Sequence, residues 1–195
     1  GVDIDDEQVV SYREAILQDR LPKSVIIVGG GAIGLEFATV WNSYGVNVTL
    51  VEMLPHVAPL EDEEVSIELK KALTKRGIKV MTETKVQSVK RLKTKVKVEV
   101  SGSNGEETLD AEQVLMAIGF KPNSADLNLE GIGISLEKNG AIEVDERMAT
   151  NIPGVWAIGD VTSKLMLAHV ASAMGIICAE NIGGVETTTL NYEMM

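Results

Sequence analysis

Val25, Ile26, Ile27 and Val28 form an unbroken apolar run. Without the alternation of a strand that has one wet face, the run predicts a short parallel strand buried on both sides. A helical pattern follows from about Gly31 to Tyr44 and stops at Gly45, a natural residue just past a helix end. Val46, Val48, Leu50 and Val51 then build a second strand, closed by Glu52. Farther on, Val65, Leu69, Ala72 and Leu73 recur at helical spacing. Glu61 to Glu64 precede them, Lys70, Lys71, Lys75 and Arg76 crowd the end, and Gly77 stops the helix. That order of charge complements the helix dipole.

Ile78 to Met81 predicts a third parallel strand. From Thr84 to Leu109 the period changes to two, with Val86, Val96, Val98 and Val100 alternating with polar residues and a hairpin turn at Gly102-Ser103-Asn104-Gly105. A small antiparallel meander is therefore expected where a crossover helix could have stood. The apolar Val114 to Gly119 predicts a further strand ending in glycine; on a dinucleotide-binding reading of the chain it would return to the parallel sheet near the first strand and set the Ala117–Gly119 backbone at the strand ends where ligands collect. Residues 1–23 read as an acidic linker with one short helix, N-capped by Ser11 with Glu14 completing a capping box. The domain boundary falls after residue 121. Beyond it, strands are expected at Gly140–Asp145 and Val155–Ile158, the latter ending at Gly159-Asp160, and a helix from Leu165 to Gly183 carries His169 near its start.

With 195 residues, 45% hydrophobic and 24% charged, the chain can bury a real core. Its net charge of −11 opposes binding to nucleic acid or anionic membranes, and no apolar run approaches a membrane span. The acidic start is unlike a signal peptide, so the cytoplasm is the expected location. Six basic residues between Lys85 and Lys97 alternate without aromatics, which suits a solvated sheet face. The single cysteine, Cys178, sits in an apolar run and reads as a buried hydrophobe; alone it forms neither an intrachain disulfide nor a redox pair.

Candidate chemistry concentrates at Gly29, Gly31 and Gly34, a G-x-G-x-x-G between strand and helix. The first glycine permits the tight turn, the second lets a pyrophosphate approach the backbone, and the third lets helix and strand pack closely. Backbone N–H groups and the helix dipole then favour the phosphates. Glu52 lies 18 residues beyond Gly34, where a carboxylate accepts hydrogen bonds from both hydroxyls of an adenosine ribose and repels a 2′-phosphate. No arginine stands in the following Met53 to Pro59. NAD is therefore expected over NADP, although the glycine motif alone fits NAD or FAD. Asp160, after Gly159, reads either as an acceptor for a polyol or as a turn or cap residue. His169 is either close to a ligand or simply packed.

The segments PKSVIIVGGGAIGLEFA, VTLVEMLPHVAPLEDEE, VLMAIGFKPN, TNIPGVWAIGDV and LMLAHVASAMG resemble, in order and spacing, the dihydrolipoamide dehydrogenases of the pyridine nucleotide:disulfide oxidoreductase family. The resemblance implies an α/β fold with a Rossmann-like NAD-binding domain over residues 1–121, its parallel sheet crossed by a β-meander. Residues 122–195 would be the central segment of an FAD-binding domain. It implies that Gly29, Gly31, Ala32, Ile33, Gly34, Glu52, Met53 and Ala117, Ile118 and Gly119 surround NAD, with Glu36 as the acid beside the nicotinamide. Ala32 stands where some relatives carry an aromatic lid over the flavin. Gly159 and Asp160 would meet the FAD ribityl chain, and Leu167, Ala168 and His169 would face the flavin's pyrimidine end, where reduced flavin gathers negative charge.

That family also has an N-terminal FAD segment with a redox cysteine pair and a C-terminal dimerisation domain with a catalytic His–Glu pair, and this sequence matches neither. The expectation is the NAD end of an enzyme that passes electrons from dihydrolipoyl groups through a disulfide and FAD to NAD⁺. The intact enzyme would be a homodimer serving a 2-oxo acid dehydrogenase or glycine cleavage complex. The chain alone would bind NAD(H) weakly, hold an incomplete FAD site, contain no catalytic residue and turn over no lipoamide. Relatives such as a mercuric reductase, an NADH oxidase or, less compatibly with Glu52, a glutathione reductase share the plan. A non-catalytic NAD-binding module is the alternative of a different class.

Overall fold

The structure is a computed structural model that describes residues 3–5, 7–103 and 105–194. The chain divides into two compact units, the first ending at Gly119 and the second beginning at Phe120.

The first unit contains, in chain order, β1 (Val9–Val10), α1 (Tyr12–Leu17), β2 (Ser24–Val28), α2 (Ala32–Ser43), β3 (Asn47–Val51), α3 (Glu63–Lys75), β4 (Lys79–Met81), β5 (Thr84–Arg91), β6 (Val96–Gly102), β7 (Gly105–Ala111) and β8 (Gln113–Met116). Five strands form a parallel sheet in the order β1-β8-β2-β3-β4, and β5-β6-β7 form an antiparallel sheet. The unbroken apolar run of β2 is explained by its two covered faces. Val25 and Ile27 pack with Ala38 and Trp41 of α2, Leu73 of α3 and Ala15 of α1. Ile26 and Val28 pack with Val96, Val98 and Val100 of β6 and Leu109 and Ala111 of β7. The meander thus covers the face that helices leave bare, and the unit is an α/β Rossmann-like fold. Asn104 of the expected hairpin turn lies outside the described residues; Gly105 has φ +93°. Among the solvated cations of the meander, Lys90 pairs with Glu99 at 2.8 Å and Lys95 with Asp110 at 2.9 Å.

The linker expected over residues 1–23 needs correction. Its helix has the Ser11–Glu14 capping box, but Val9 and Val10 form an edge strand paired to Val114 and Leu115 of β8. Both valines are almost wholly buried. Asp5 bends the chain into place, its Oδ1 accepting the N–H groups of Gln8 and Val9 at 2.8 Å each. Two residues are too few to carry a period, so pattern alone does not reveal this strand.

In the second unit the expected strands at 140–145 and 155–158 do not form. Single bridges join Leu136 with Ile142 and Ala149 with Trp156. Polar side chains divert the backbone: Asp145 Oδ1 accepts the N–H groups of Arg147 and Ala149, and Thr150 Oγ1 accepts from Ile152 N–H while donating to Val155 C=O. Such local bonds compete with a ladder. Helix α4 (Ala168–Ile182) supplies the core, where Val170, Met174, Ile177 and Cys178 pack with Met148.

Candidate functional site

The sequence-derived residues fall into two regions, one in each unit. In the first, the strand order reverses at β2, which has β3 on one side and β8 on the other. In an open parallel sheet a crevice opens past the strand ends at that point. The Gly29 N–H donates to Val51 C=O and the Ala117 N–H to Val28 C=O, both at 2.8 Å, so the ends of β2, β3 and β8 are laced together. Gly29 has φ +113°, and a Cβ there would stand 2.3 Å from Ala117 O. A Cβ at Gly34 would stand 1.9 Å from Gly29 O, whereas one at Gly31 would meet nothing within 4 Å. Two glycines are demanded by the protein's own backbone; the third faces open space that a ligand can fill.

Helix α2 begins at that opening with Gly31 as N-cap and no side-chain cap. Helices α1 and α3, in contrast, are capped by Ser11 and Asp62. The first N–H groups of α2 are thus left for another acceptor. Ala32 and Glu36 are exposed, as are Met53, Ile118 and Gly119, while Ile33 and Ala117 are half-buried.

Glu52 follows β3 and is 8% exposed. Its Oε2 accepts Gly30 N–H at 2.6 Å and its Oε1 accepts Leu54 N–H at 2.7 Å. Each carboxylate oxygen has a second lone-pair direction, so the group can still accept from hydroxyls. Gly30, absent from the expected set, is the partner that fixes Glu52, and a Cβ there would lie 3.1 Å from Glu52 Cβ. The run of three glycines was the available signal; the fingerprint uses only the outer two.

In the second unit, Gly159–Thr162 form a 3-10 turn, and Thr162, fully buried, donates from Oγ1 to Gly159 C=O at 2.8 Å. Gly159 has φ +72°, and a Cβ there would be 3.4 Å from Ala171 Cβ of α4. The turn therefore rests on the start of α4, whose N-cap, Leu167, makes no side-chain cap. Asp160, Leu167, Ala168 and His169 are all exposed. His169 is thus not a packed core histidine, because it precedes Val170, which takes the inward position.

Other features lie elsewhere. Cys178 is buried on the inner side of α4, and burial pushes its thiol up, away from thiolate chemistry. A cavity of about 750 Å³ lined by Gln8, Arg20, Lys93 and Gln113 sits at the opposite, amino ends of the parallel strands. Among the described residues no group of three or more His, Cys, Asp or Glu could hold a metal ion, and no helix is long and apolar enough to cross a membrane.

Comparison with known proteins agrees with this architecture. Residues 3–175 match the family described as pyridine nucleotide-disulphide oxidoreductase. The dihydrolipoyl dehydrogenase of Mycobacterium leprae is 48% identical over 188 residues, covering 96% of this chain and 40% of that protein. That of Corynebacterium glutamicum is 47% identical over 197 residues, covering 100% and 42%. Among solved structures, LpdA of Mycobacterium tuberculosis superposes with a TM-score of 0.89 at 32% identity, covering 98% of this chain and 41% of that one. The HOCl-induced flavoprotein disulfide reductase RclA of Escherichia coli gives 0.85 at 27% identity, covering 93% and 41%. The chain thus spans 40–42% of the curated relatives named here. By its glycine turn, its sheet order and these matches, the chain belongs to the pyridine nucleotide-disulphide oxidoreductase family.

Proposed function

We propose that the unit ending at Gly119 binds NAD(H) and that the second unit supplies part of an FAD site, within a dihydrolipoyl dehydrogenase. The observation that carries the reading is the opening between the ends of β2 and β8. There Gly31 faces open space, the start of α2 is uncapped, and Glu52 is held in place by two backbone amides.

The amides from Gly31 to Gly34 would hold the diphosphate, where the helix dipole favours negative charge. Glu52 would accept from the adenosine ribose and exclude a 2′-phosphate; its fixed carboxylate cannot swing away without freeing the Gly30 N–H. Met53 and the Ala117–Gly119 backbone would border the adenosine and nicotinamide halves, and Glu36 the nicotinamide. In the second unit Gly159 and Asp160 would meet the flavin's ribityl chain, and Leu167, Ala168 and His169 its pyrimidine end. The start of α4 favours the negative charge that gathers there on reduction. When bound, NAD⁺ would supply a hydride acceptor and flavin an electron carrier between the dithiol and NAD⁺. The domains proposed are residues 1–121 for NAD and 122–195 for the central FAD segment.

In the whole enzyme the net reaction would oxidise a dihydrolipoyl dithiol to its disulfide and reduce NAD⁺. The relatives' name supports this substrate, and the proposed assembly is a homodimer serving a 2-oxo acid dehydrogenase or glycine cleavage complex. Calorimetric titration of the chain with NADH, NADPH and FAD separately tests the reading. NADH should bind well ahead of NADPH, with little FAD binding; tight FAD binding, or a preference for NADPH, would mean that the glycine turn serves another dinucleotide.

A further inference from the structure

Both polar backbone groups of Gly30 are occupied. Its N–H donates to Glu52, and its C=O accepts from Ala58 N–H at 2.8 Å. The second bond matters because the Gly30 C=O and the Gly31 N–H belong to one planar, trans peptide and point in opposite directions. Holding that carbonyl on Ala58 therefore turns the Gly31 N–H away from the 53–61 loop. Glycines on both sides of this peptide would otherwise let it rotate freely.

Ala58 is itself held in an uncommon shape, with φ +47°. Its C=O accepts from Glu61 N–H at 2.9 Å and from Ser66 Oγ at 3.3 Å. Ser66, in α3, is 1% exposed, and its hydroxyl is directed to this one carbonyl. Val57 packs the loop into the core below the sheet ends, and a groove lined by Pro55, His56, Ser66 and Lys70 runs beside it. Val57 is the buried apolar anchor, and the remaining restraint is polar.

We propose that Ser66 is a positioning residue for dinucleotide binding, acting through Ala58 and Gly30 to aim the Gly31 amide. The inference rests on the NAD reading above and adds to it a residue outside the glycine fingerprint. The left-handed backbone at Ala58 has a role in this arrangement, for it lets the Ala58 N–H reach Gly30.

The test compares the wild-type chain with Ser66→Ala and, as a control for stability alone, Leu73→Val in the core face of α3. NADH affinity is measured by calorimetry. Amide exchange at Ala58 and the Gly31 amide resonance are followed by NMR without ligand. Ser66→Ala should raise the NADH Kd by up to about fivefold, the ceiling set by one neutral hydrogen bond, speed exchange at Ala58 and shift or broaden Gly31. Leu73→Val should lower the melting temperature while leaving Kd and the Gly31 resonance unchanged. A Ser66→Ala chain with wild-type Kd and an unmoved Gly31 resonance overturns the positioning role and leaves the NAD reading standing. Failure of the wild-type chain to bind NADH overturns both.

Discussion

The glycine turn of the first unit and the Asp160 turn of the second both lie beside an uncapped helix start, yet they are built by opposite means. At the first, three parallel strands end together, and at Gly29 and Gly34 backbone atoms approach so closely that a side chain is excluded. At Gly159–Thr162 no strand ladder contributes; a buried threonine hydroxyl and the neighbouring turns shape the backbone. Sheet register fixes the first geometry over many cooperative bonds, whereas local side-chain bonds fix the second. Substitutions should therefore be felt very differently in the two places.

The largest effect is expected from Gly34→Val. Its Cβ would collide with the Gly29 carbonyl, a backbone atom that cannot move without parting β2 from α2. A loss above about 3 kcal/mol is expected in urea unfolding, with NADH binding abolished. The counterpart, Gly159→Ala, meets only Ala171 Cβ at 3.4 Å and bears mainly the positive φ, about 1–2 kcal/mol. Equal losses would erase the distinction between the regions.

Glu52→Gln comes next. A carboxamide offers one oxygen where two amides now donate, so one buried N–H is orphaned; about 1–3 kcal/mol of stability should be lost. The gap between NADH and NADPH affinity should narrow as well. Asp160→Asn alters an exposed carboxylate and should change stability by less than about 0.5 kcal/mol. Measuring both variants by thermal unfolding sharpens the contrast between a built and an open acid.

Smaller effects concern the edges of each unit. Burial opposes ionisation of Asp5, but the amides of Val9, Glu7 and Gln8 and the Arg91 charge outweigh it and hold the carboxyl below its usual range. A lowered folded-state value means that this contribution is present above the unfolded-state value and fades as pH falls through the folded one. Amide exchange at Val9 and Val10 should accelerate in that acid window, and Asp5→Asn should remove the dependence. In the second unit, burial raises the Cys178 thiol, so thiol labelling in the native chain should be slow at neutral pH and become fast in denaturant. Rapid native labelling would show that the α4 core opens more readily than its packing indicates.

Most of the first unit was legible in the chain because its signals are local and repeated. Buried parallel strands leave apolar runs, helices end at Gly45 and Gly77, and the meander alternates with period two. The second unit was less so: residues 140–145 and 155–158 have strand-like composition, but Asp145 and Thr150 bond their own neighbours and leave only isolated bridges. Glu52 was legible by its position after β3, whereas Gly30, Ala58 and Ser66 were not. Their roles arise from backbone atoms and a hydroxyl separated by 8 to 28 residues, and no spacing rule encodes such a meeting.

By itself, the sequence determined the α/β class, the position of the glycine turn and the acid that closes the second strand, since periodicity, glycine geometry and strand length are properties of neighbouring residues. Tertiary structure alone decided that Val9 and Val10 complete the sheet beyond β8 and that the Gly30 peptide is gripped by Glu52 and Ala58. Those outcomes depend on burial and hydrogen-bond partners brought together only when the parallel sheet assembles.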